Sequence, residues 1–413
     1  MSLDILIWIL AAIGTYISLV WIIAYLREKK YIEQEHRQLK NPLMVSIAIP
    51  AYNEEDNIEN AVNSLLNCDY PKDKLEIIVV NDGSIDNTER ILQKYVRKKL
   101  IKLIDQPNRG KGAALNNALK HAKGELFGVM DADTIVEKDT IAKLVANFTP
   151  RNLGAIMSAI KPFKVKSVLE KFQKVEYLLA ILARKVMDRM DTNYVTPGAL
   201  SLYNKDILGK LGGFDEHNIT EDLEIALRLR SHGHRIKASA SAFTYTVVPK
   251  TLGKLFRQRI RWNRGFLQNI WRYRYMILNP KYKTLGLYQL TIALVATFIL
   301  IPAGFAMVGY VSYKTLYSYY LYFNAVGFTP PEIISMPTSA EAFLLSFNFK
   351  LYFPLAITVF LAFMLIVLAQ KLTNESYKNV LLSILAIAIY YPFLGLIWLA
   401  TLLFEILRIK RKW

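Results

Sequence analysis

"LEIIVVNDGS", residues 75–84, is the stretch on which the fold turns. Leu75, Ile77, Ile78, Val79 and Val80 form a short, nearly continuous apolar run that stops at Asn81-Asp82-Gly83-Ser84. A strand buried on both faces reads this way, because helices cover both sides of a parallel sheet and leave no solvent face to alternate with. The same pattern recurs on either side. Residues 45–49 (VSIAI) run into Pro50-Ala51-Tyr52-Asn53-Glu54-Glu55. Residues 100–104 lead through Asn108-Arg109-Gly110-Lys111-Gly112, and residues 126–130 run straight into Asp131-Ala132-Asp133. Helix-like segments at 56–66 and 87–95, and an alanine- and leucine-rich one ending near Gly124, fill the gaps. The alternation predicts an α/β domain with a mostly parallel sheet, whose ligands bind beyond the carboxyl ends of the strands. That is where Asp82, Asp131 and Asp133 fall.

Outside this domain the chain is of another kind. Of its 413 residues 53% are hydrophobic and 21% charged, with a net charge of +18. This is too apolar for an ordinary soluble protein and too charged for membrane helices alone. Residues 5–25 form an apolar run long enough to span a bilayer, with Asp4 before it and Arg27, Lys29 and Lys30 after. The positive-inside rule puts the N-terminus outside and the following chain in the cytoplasm. No small-residue cleavage site follows a short apolar core, so the run reads as an uncleaved anchor. Three further apolar stretches cover 285–311, 351–369 and 381–407. The last is long for one span and carries Pro392: a single crossing would leave the basic tail (Arg408, Lys410, Arg411, Lys412) outside, a re-entrant hairpin would return it to the cytoplasm, and the positive-inside rule favours a cytoplasmic tail. Tyr317, Tyr319, Tyr320 and Tyr322 suit the outer interface. The expected organisation is an anchor at 1–27, a cytoplasmic domain at 28–249, amphipathic interfacial helices at 250–284, and apolar helices with the basic tail at 285–413. A single cysteine, Cys68, excludes an internal disulfide and a thiolate cluster, and reads as buried and inert. Positive charge suits an anionic leaflet, and the aromatic residues are not interleaved with basic ones as a nucleic-acid groove requires.

The familiar nucleotide motifs are missing. No GxGxxG follows the first strand, and Gly110-Lys111-Gly112 lacks the spacing and the Ser/Thr of a Walker A loop, so hydride transfer and P-loop ATP hydrolysis lose support. Acidic residues stand in their place. Asp131 and Asp133, two residues apart in a loop, can share one hard divalent cation and leave coordination positions open for phosphate oxygens. Glu221 and Asp222 follow Thr220, which is expected to cap a helix carrying Leu223, Ala226 and Leu227 on one face. Each motif alone is also an ordinary turn or helix start, since Asn, Asp and Gly form turns and acid complements a helix N-terminus. Finally "RQRIRWNRG", residues 257–265, sets four arginines and a tryptophan on an amphipathic helix expected over 251–276.

Six segments in order carry a resemblance: IPAYNEE (49–55), VVNDGSIDNT (79–88), NRGKGAALNNAL (108–119), MDADT (130–134), ITED (219–222) and QRIRW (258–262). Together they resemble the processive, membrane-integrated family 2 glycosyltransferases of GT-A fold, the group of cellulose, chitin, hyaluronan and poly-N-acetylglucosamine synthases. The likeness runs from Met44 to the tail. It implies a GT-A-type, Rossmann-like cytoplasmic domain inserted between transmembrane α-helices of a multi-pass plasma-membrane protein. The implied partners are a UDP-sugar donor, a polysaccharide or glycan acceptor and the bilayer, with Mn²⁺ or Mg²⁺ as cofactor and no nucleic acid; an accessory membrane subunit is left open. By the same resemblance Tyr52 and Glu54 line the nucleotide pocket, Asp82 contacts the uracil, and Asp131 approaches ribose and metal. Asp133 holds the metal on the diphosphate, which Lys111 and Arg261 stabilise. Asp222, with Glu221 beside it, matches the catalytic base. Gln258, Arg261 and Trp262 match the QxxRW signature of polymer-making members, with Trp262 facing the acceptor sugar. Gly198, in TPGAL (196–200), falls in the acceptor region. Arg257, Arg259 and Arg264 are left as lipid-headgroup contacts. Asn81 departs from the second aspartate of many relatives. The leading expectation is transfer from UDP-N-acetylglucosamine to a growing β-linked polysaccharide, coupled to its translocation. The alternative moves one sugar to a polyprenyl phosphate and does not require the motif at Gln258–Trp262.

Overall fold

β1 (Val45–Ala51) and β2 (Leu75–Asp82) are buried nearly end to end, and the reason is visible residue by residue. Val45, Ile47, Ile49 and Ala51, with Ile77 and Val79, face one core, while Ala48, Ile78 and Val80 face a second. Successive side chains point to opposite faces, and both faces are covered. α2 (Ile58–Leu66), α3 (Thr88–Arg97) and α5 (Thr140–Ala146) pack on the first face. α4 (Lys111–His121), α7 (Lys205–Lys210) and α8 (Glu221–Ser231) pack on the second. Cys68 lies buried in the first core.

The structure, a computed structural model, describes residues 3–33, 39, 41–148, 152–326, 349–376 and 380–409. The basic tail from Lys410 onward lies outside these described residues. The eight-stranded sheet has the order β3-β2-β1-β4-β7-β6-β8-β5. β3 (Lys102–Gln106), β2, β1 and β4 (Leu126–Val129) are parallel, as expected, with β3 two residues later than the sequence suggests. Beyond β4 the sheet is mixed. β7 (Ser201–Asn204) is antiparallel to both β4 and β6 (Leu153–Pro162), β8 (Arg235–Thr246) is parallel to β6, and β5 (Thr134–Val136) is antiparallel to β8. These four strands have no counterpart in the sequence-level outline. α6 (Val168–Arg189) opens with a capping box, in which Ser167 and Glu170 satisfy each other's backbone N–H groups, and crosses beside β6 and β8. α9 (Leu252–Arg272) starts at Thr251, whose hydroxyl accepts from Lys254 N, and carries the arginine-rich motif.

The chain forms two compact units, Met1–Ile23 with Ile292–Leu365 and Ala24–Thr291 with Ile366–Trp413. Among the described residues three helices are long and apolar enough to cross a membrane: Trp8–Lys30 within α1 (Leu3–Glu33), Leu285–Leu321 and Leu382–Ile406. Phe349–Leu372 is a further apolar helix. Tyr317, Tyr319, Tyr320 and Tyr322 lie within the helix Ile301–Val326, not in a loop. In the last apolar stretch, where the sequence leaves a single run and a hairpin both open, 380–406 is one continuous helical run with no reversal. Pro392 stands in the first turn of the α-helix Tyr391–Ile406, directly after a π-helical turn at Ala386–Tyr390. A missing N–H is least costly at such a start, so the proline does not break the run.

Candidate functional site

The carboxyl ends of β1, β2 and β4 and the N-termini of α4 and α8 converge on a cavity of about 420 Å³, closed from other sides by α6 and α9. Tyr52, Glu54, Asp82, Lys111, Asp131, Asp133, Gly198, Glu221, Asp222, Gln258, Arg261 and Trp262 all line it. Residues from opposite ends of the domain's sequence thus share one wall.

At the strand-end side the polar groups are tied down. Asp82 is buried; its Oδ1 accepts from Arg109 N at 2.9 Å and Gln106 Nε2 at 2.7 Å, and its Oδ2 accepts from Gly110 N at 2.9 Å. It therefore holds the turn into α4 and delivers Lys111 as the first residue of that helix. Lys111 Nζ lies 2.7 Å from Asp131 Oδ1 and 2.8 Å from Glu221 Oε1, which keeps its pKa well above the usual lysine range despite burial. Gly198 makes this pair possible. A Cβ there would sit 2.5 Å from Lys111 Nζ and 2.7 Å from Asp131 Oδ1, so a larger residue would push these two side-chain ends out of the places they hold.

Asp133 stands deeper. Burial first, then the charges of Asp131 and Glu54, push its carboxyl up to about 7, with only weak relief from the Thr246 hydroxyl. Burial also raises Glu54, opposed by a hydrogen bond from Asn57. Crowded carboxylates of this kind fit a hard divalent cation. Among the described residues no three Asp, Glu, His or Cys side chains form a complete cage, so a cation would rest on Asp131 and Asp133 and finish its shell with ligand oxygens.

The helix side is different. Asp222 is the second residue of α8, and burial followed by the Glu221 charge raises its carboxyl to about 6, against the pull of Lys111 and the N–H of Leu223. Thr220 holds the N-cap position but makes no cap hydrogen bond, which corrects the expectation of a capping side chain. Its Oγ1 instead accepts from Asn269 Nδ2 at 3.0 Å. Gly265 explains the contact, since a Cβ there would meet the Thr220 Oγ1 at 2.2 Å; α9 approaches the start of α8 at a distance only glycine allows. That approach sets Arg261 and Trp262 in the cavity wall with Asp222. Arg261 is exposed toward the cavity, its sole hydrogen bond among the described residues a long one of 3.4 Å to Ile219 O. Gln258 Oε1 is buried and, among the described residues, without a partner.

Two arginines of the motif are misplaced by sequence reasoning. Arg259 is only 7% exposed, pairs with Glu176 at 2.9 Å and lies 4.3 Å over the Trp262 ring. Arg264 is 3% exposed and pairs with Glu405 at 2.7 Å. Neither is a headgroup contact, because their acidic partners sit on α6 and on the last helix, far away in sequence. Arg257 alone of the three is exposed. Sequence reasoning also missed the wall that α6 supplies: Glu176, Tyr177, Ala180 and Arg184. A signal exists, since charges at 176 and 184 share one helical face of the otherwise apolar run EYLLAILAR.

A family model described as glycosyl transferase family 2 matches residues 46–212. The chain is 30% identical over 300 residues to a poly-beta-1,6-N-acetyl-D-glucosamine synthase of Staphylococcus epidermidis, covering 68% of this chain and 70% of that protein. It is 32% identical over 261 residues to the synthase of the same description from Staphylococcus aureus (strain MSSA476), covering 60% of this chain and 63% of that one. The chain thus spans about two thirds of the length of these relatives. Among solved structures, the mannosyltransferase PcManGT of Pyrobaculum calidifontis, in complex with GDP-Man and Mn²⁺, aligns with a TM-score of 0.59 at 21% identity over 91% of this chain and 100% of that one. The mixed sheet is accordingly of the GT-A type.

Proposed function

Because the chain belongs to glycosyl transferase family 2, we propose that this cavity moves a sugar from a UDP-sugar, UDP-N-acetylglucosamine foremost, to the end of a growing β-linked polysaccharide. The observation that carries this is the raised carboxyl of Asp222, set in one cavity with the Asp131–Asp133 pair and walled by Arg261 and Trp262. The 30% identity to a poly-beta-1,6-N-acetyl-D-glucosamine synthase supports the choice of sugar and polymer.

Asp222 takes the proton from an acceptor hydroxyl while that oxygen bonds to the anomeric carbon. The bond from that carbon to the diphosphate breaks, and the nucleoside diphosphate leaves with inversion. A carboxylate so placed contributes about 10²–10⁴-fold. Its raised pKa makes it a stronger base than an exposed aspartate while leaving it largely ionised at neutral pH. Arg261, whose sole hydrogen bond among the described residues is a long one, donates to the diphosphate as charge gathers there. Lys111 keeps Asp131 and Glu221 in place, and Tyr52, 48% exposed, offers its ring to the base. Trp262 presents an apolar face to the acceptor sugar, held still by Arg259. A divalent cation on Asp131 and Asp133 supplies charge neutralisation for the donor diphosphate. The reading extends to topology. The apolar helices anchor a multi-pass membrane protein, with the anchor at 1–27 and the catalytic domain at 28–249 on the cytoplasmic side, and the product leaves across the membrane.

The test is nucleotide release by the purified full-length chain in detergent, with a panel of UDP- and GDP-sugars, with Mn²⁺ or Mg²⁺ and with EDTA, reading product length on a gel. The expected result is metal-dependent turnover of UDP-N-acetylglucosamine and a ladder of products. A single added sugar, or transfer only to a polyprenyl phosphate, overturns the polymer reading; preference for another donor overturns the sugar.

A further inference from the structure

Arg184 is the group in this cavity that the chemistry above leaves unused. It projects from α6 into the cavity, half-buried, and among the described residues it makes no hydrogen bond or ion pair. Burial presses its pKa below the ordinary arginine value, and the groups that act back on it are Tyr177, Asp222 and Glu176. A guanidinium carries five N–H donors in a fixed fork and stays charged, so it calls for acceptors that, among the described residues, the protein does not supply. In the lining of the same cavity Gln258 Oε1 is buried and, among the described residues, without a partner. Asp222 is among the groups that act on Arg184, and Gln258 stands about one helical turn before Trp262 on α9. Unfilled donors and an unfilled acceptor on one side of a site are complementary to a ligand rather than to the protein.

We propose that Arg184 is an acceptor-binding and specificity-determining residue, donating to an exocyclic carbonyl oxygen of the acceptor's terminal sugar. The inference rests on the transfer reading above. Charge chooses the class of acceptor. Around this end Asp222 and Glu176 are negative and Arg184, Arg259 and Arg261 positive; with Arg261 taken up by the donor diphosphate, the remaining four charges balance without the acceptor. A uronate would leave one negative charge uncompensated, and an unacylated amino sugar one positive charge. A neutral N-acyl sugar leaves the balance intact and supplies the oxygen that the guanidinium lacks.

The experiment compares the full-length wild type with Arg184→Met and Arg184→Lys in detergent, by UDP release at varied acceptor and by melting temperature. The acceptors are short β-linked oligomers of N-acetylglucosamine, glucosamine and a uronate. The wild type is expected to prefer the N-acetylated oligomer. Arg184→Met raises its KM about tenfold, the loss of one charge-assisted hydrogen bond, more than it slows UDP release to water, and levels the preference. Arg184→Lys recovers part of the affinity. Melting temperature is unchanged or higher in Arg184→Met, because no partner among the described residues is lost and a partly buried charge is removed. A drop in melting temperature with parallel loss of every activity makes Arg184 a structural pin and overturns the inference. So does an unchanged acceptor KM, or a wild type that prefers the uronate. A wild type that turns over no UDP-sugar overturns the donor assignment instead, which separates the two failures.

Discussion

Asp82 and Arg184 line the same cavity, yet Asp82 accepts three hydrogen bonds from the protein and Arg184, among the described residues, makes none. The contrast holds for their surroundings. On the strand-end side Lys111, Asp131 and Glu221 close on one another, whereas on the helix side Arg261 and Gln258 keep open valences and Asp222 is held above its ordinary pKa. One side is finished by folding and the other by its ligand. Buried polar groups cost stability when unpaired, so the helix side trades stability for recognition, a trade that substitutions can expose.

The largest effect is expected at Asp222. Asp222→Asn should lower kcat by about 10²–10⁴-fold with donor affinity nearly unchanged, measured by UDP release and by nucleotide binding. The wild-type rate should climb as pH rises through about 6, where this carboxyl loses its proton, and the variant's residual rate should not. Stability runs the other way. The folded carboxyl binds its proton more tightly than the unfolded one, so its contribution is greatest at low pH and falls as pH rises from the ordinary value of 3.8 to about 6. Asp222→Asn should flatten that slope in a melting series. Next, Arg261→Ala should slow release to water and to acceptor alike, by about a hundredfold, because the leaving diphosphate is the same in both. Strong loss with acceptor only would move Arg261 to the acceptor.

The strand-end side should answer in stability. Asp82→Ala strips acceptors from the Arg109 and Gly110 N–H groups and should cost about 2 kcal/mol in denaturant unfolding. If it melts like the wild type while UDP binding fails, Asp82 serves the ligand first and the comparison breaks. Smallest is Trp262→Ala, expected to remove about 1–2 kcal/mol of acceptor affinity and little else. Equal losses in hydrolysis and elongation would take Trp262 out of the acceptor site.

The same asymmetry explains what could be read in the chain. The strand ends are local: an apolar run, then the acid it delivers, close behind in sequence, so β1, β2, β4 and the positions of Asp82, Asp131 and Asp133 were legible. β6 and β8 were not outlined, because "RIKASASAFTYT" gains its strand from pairing with β6 and β5 rather than from a pattern of its own. Arg259 and Arg264 looked like a solvated basic face because the charges that bury them, Glu176 and Glu405, lie 83 and 141 positions away. The α6 wall was missed for the opposite reason: EYLLAILAR reads as core, and only the third dimension shows that its two charges face a cavity.

The helix Tyr391–Ile406 has, by hydropathy, no preferred rotation about its own axis. Three polar groups give it one. Tyr390, just before it, donates to Glu176; Thr401 accepts from Asn263; and Glu405 pairs with Arg264. At about 100° per residue these positions form a narrow stripe, so the helix is keyed like a shaft in its socket. Glu176 holds Arg259, and Arg259 steadies Trp262, so the key reaches the acceptor wall. One alanine inserted between Phe393 and Leu394 would leave length and apolarity unremarkable to any sequence scan. It would nonetheless swing Glu405 about 100° away from Arg264 and force a choice between the two ends of the stripe. In this segment the lethal change is one of phase, not of composition.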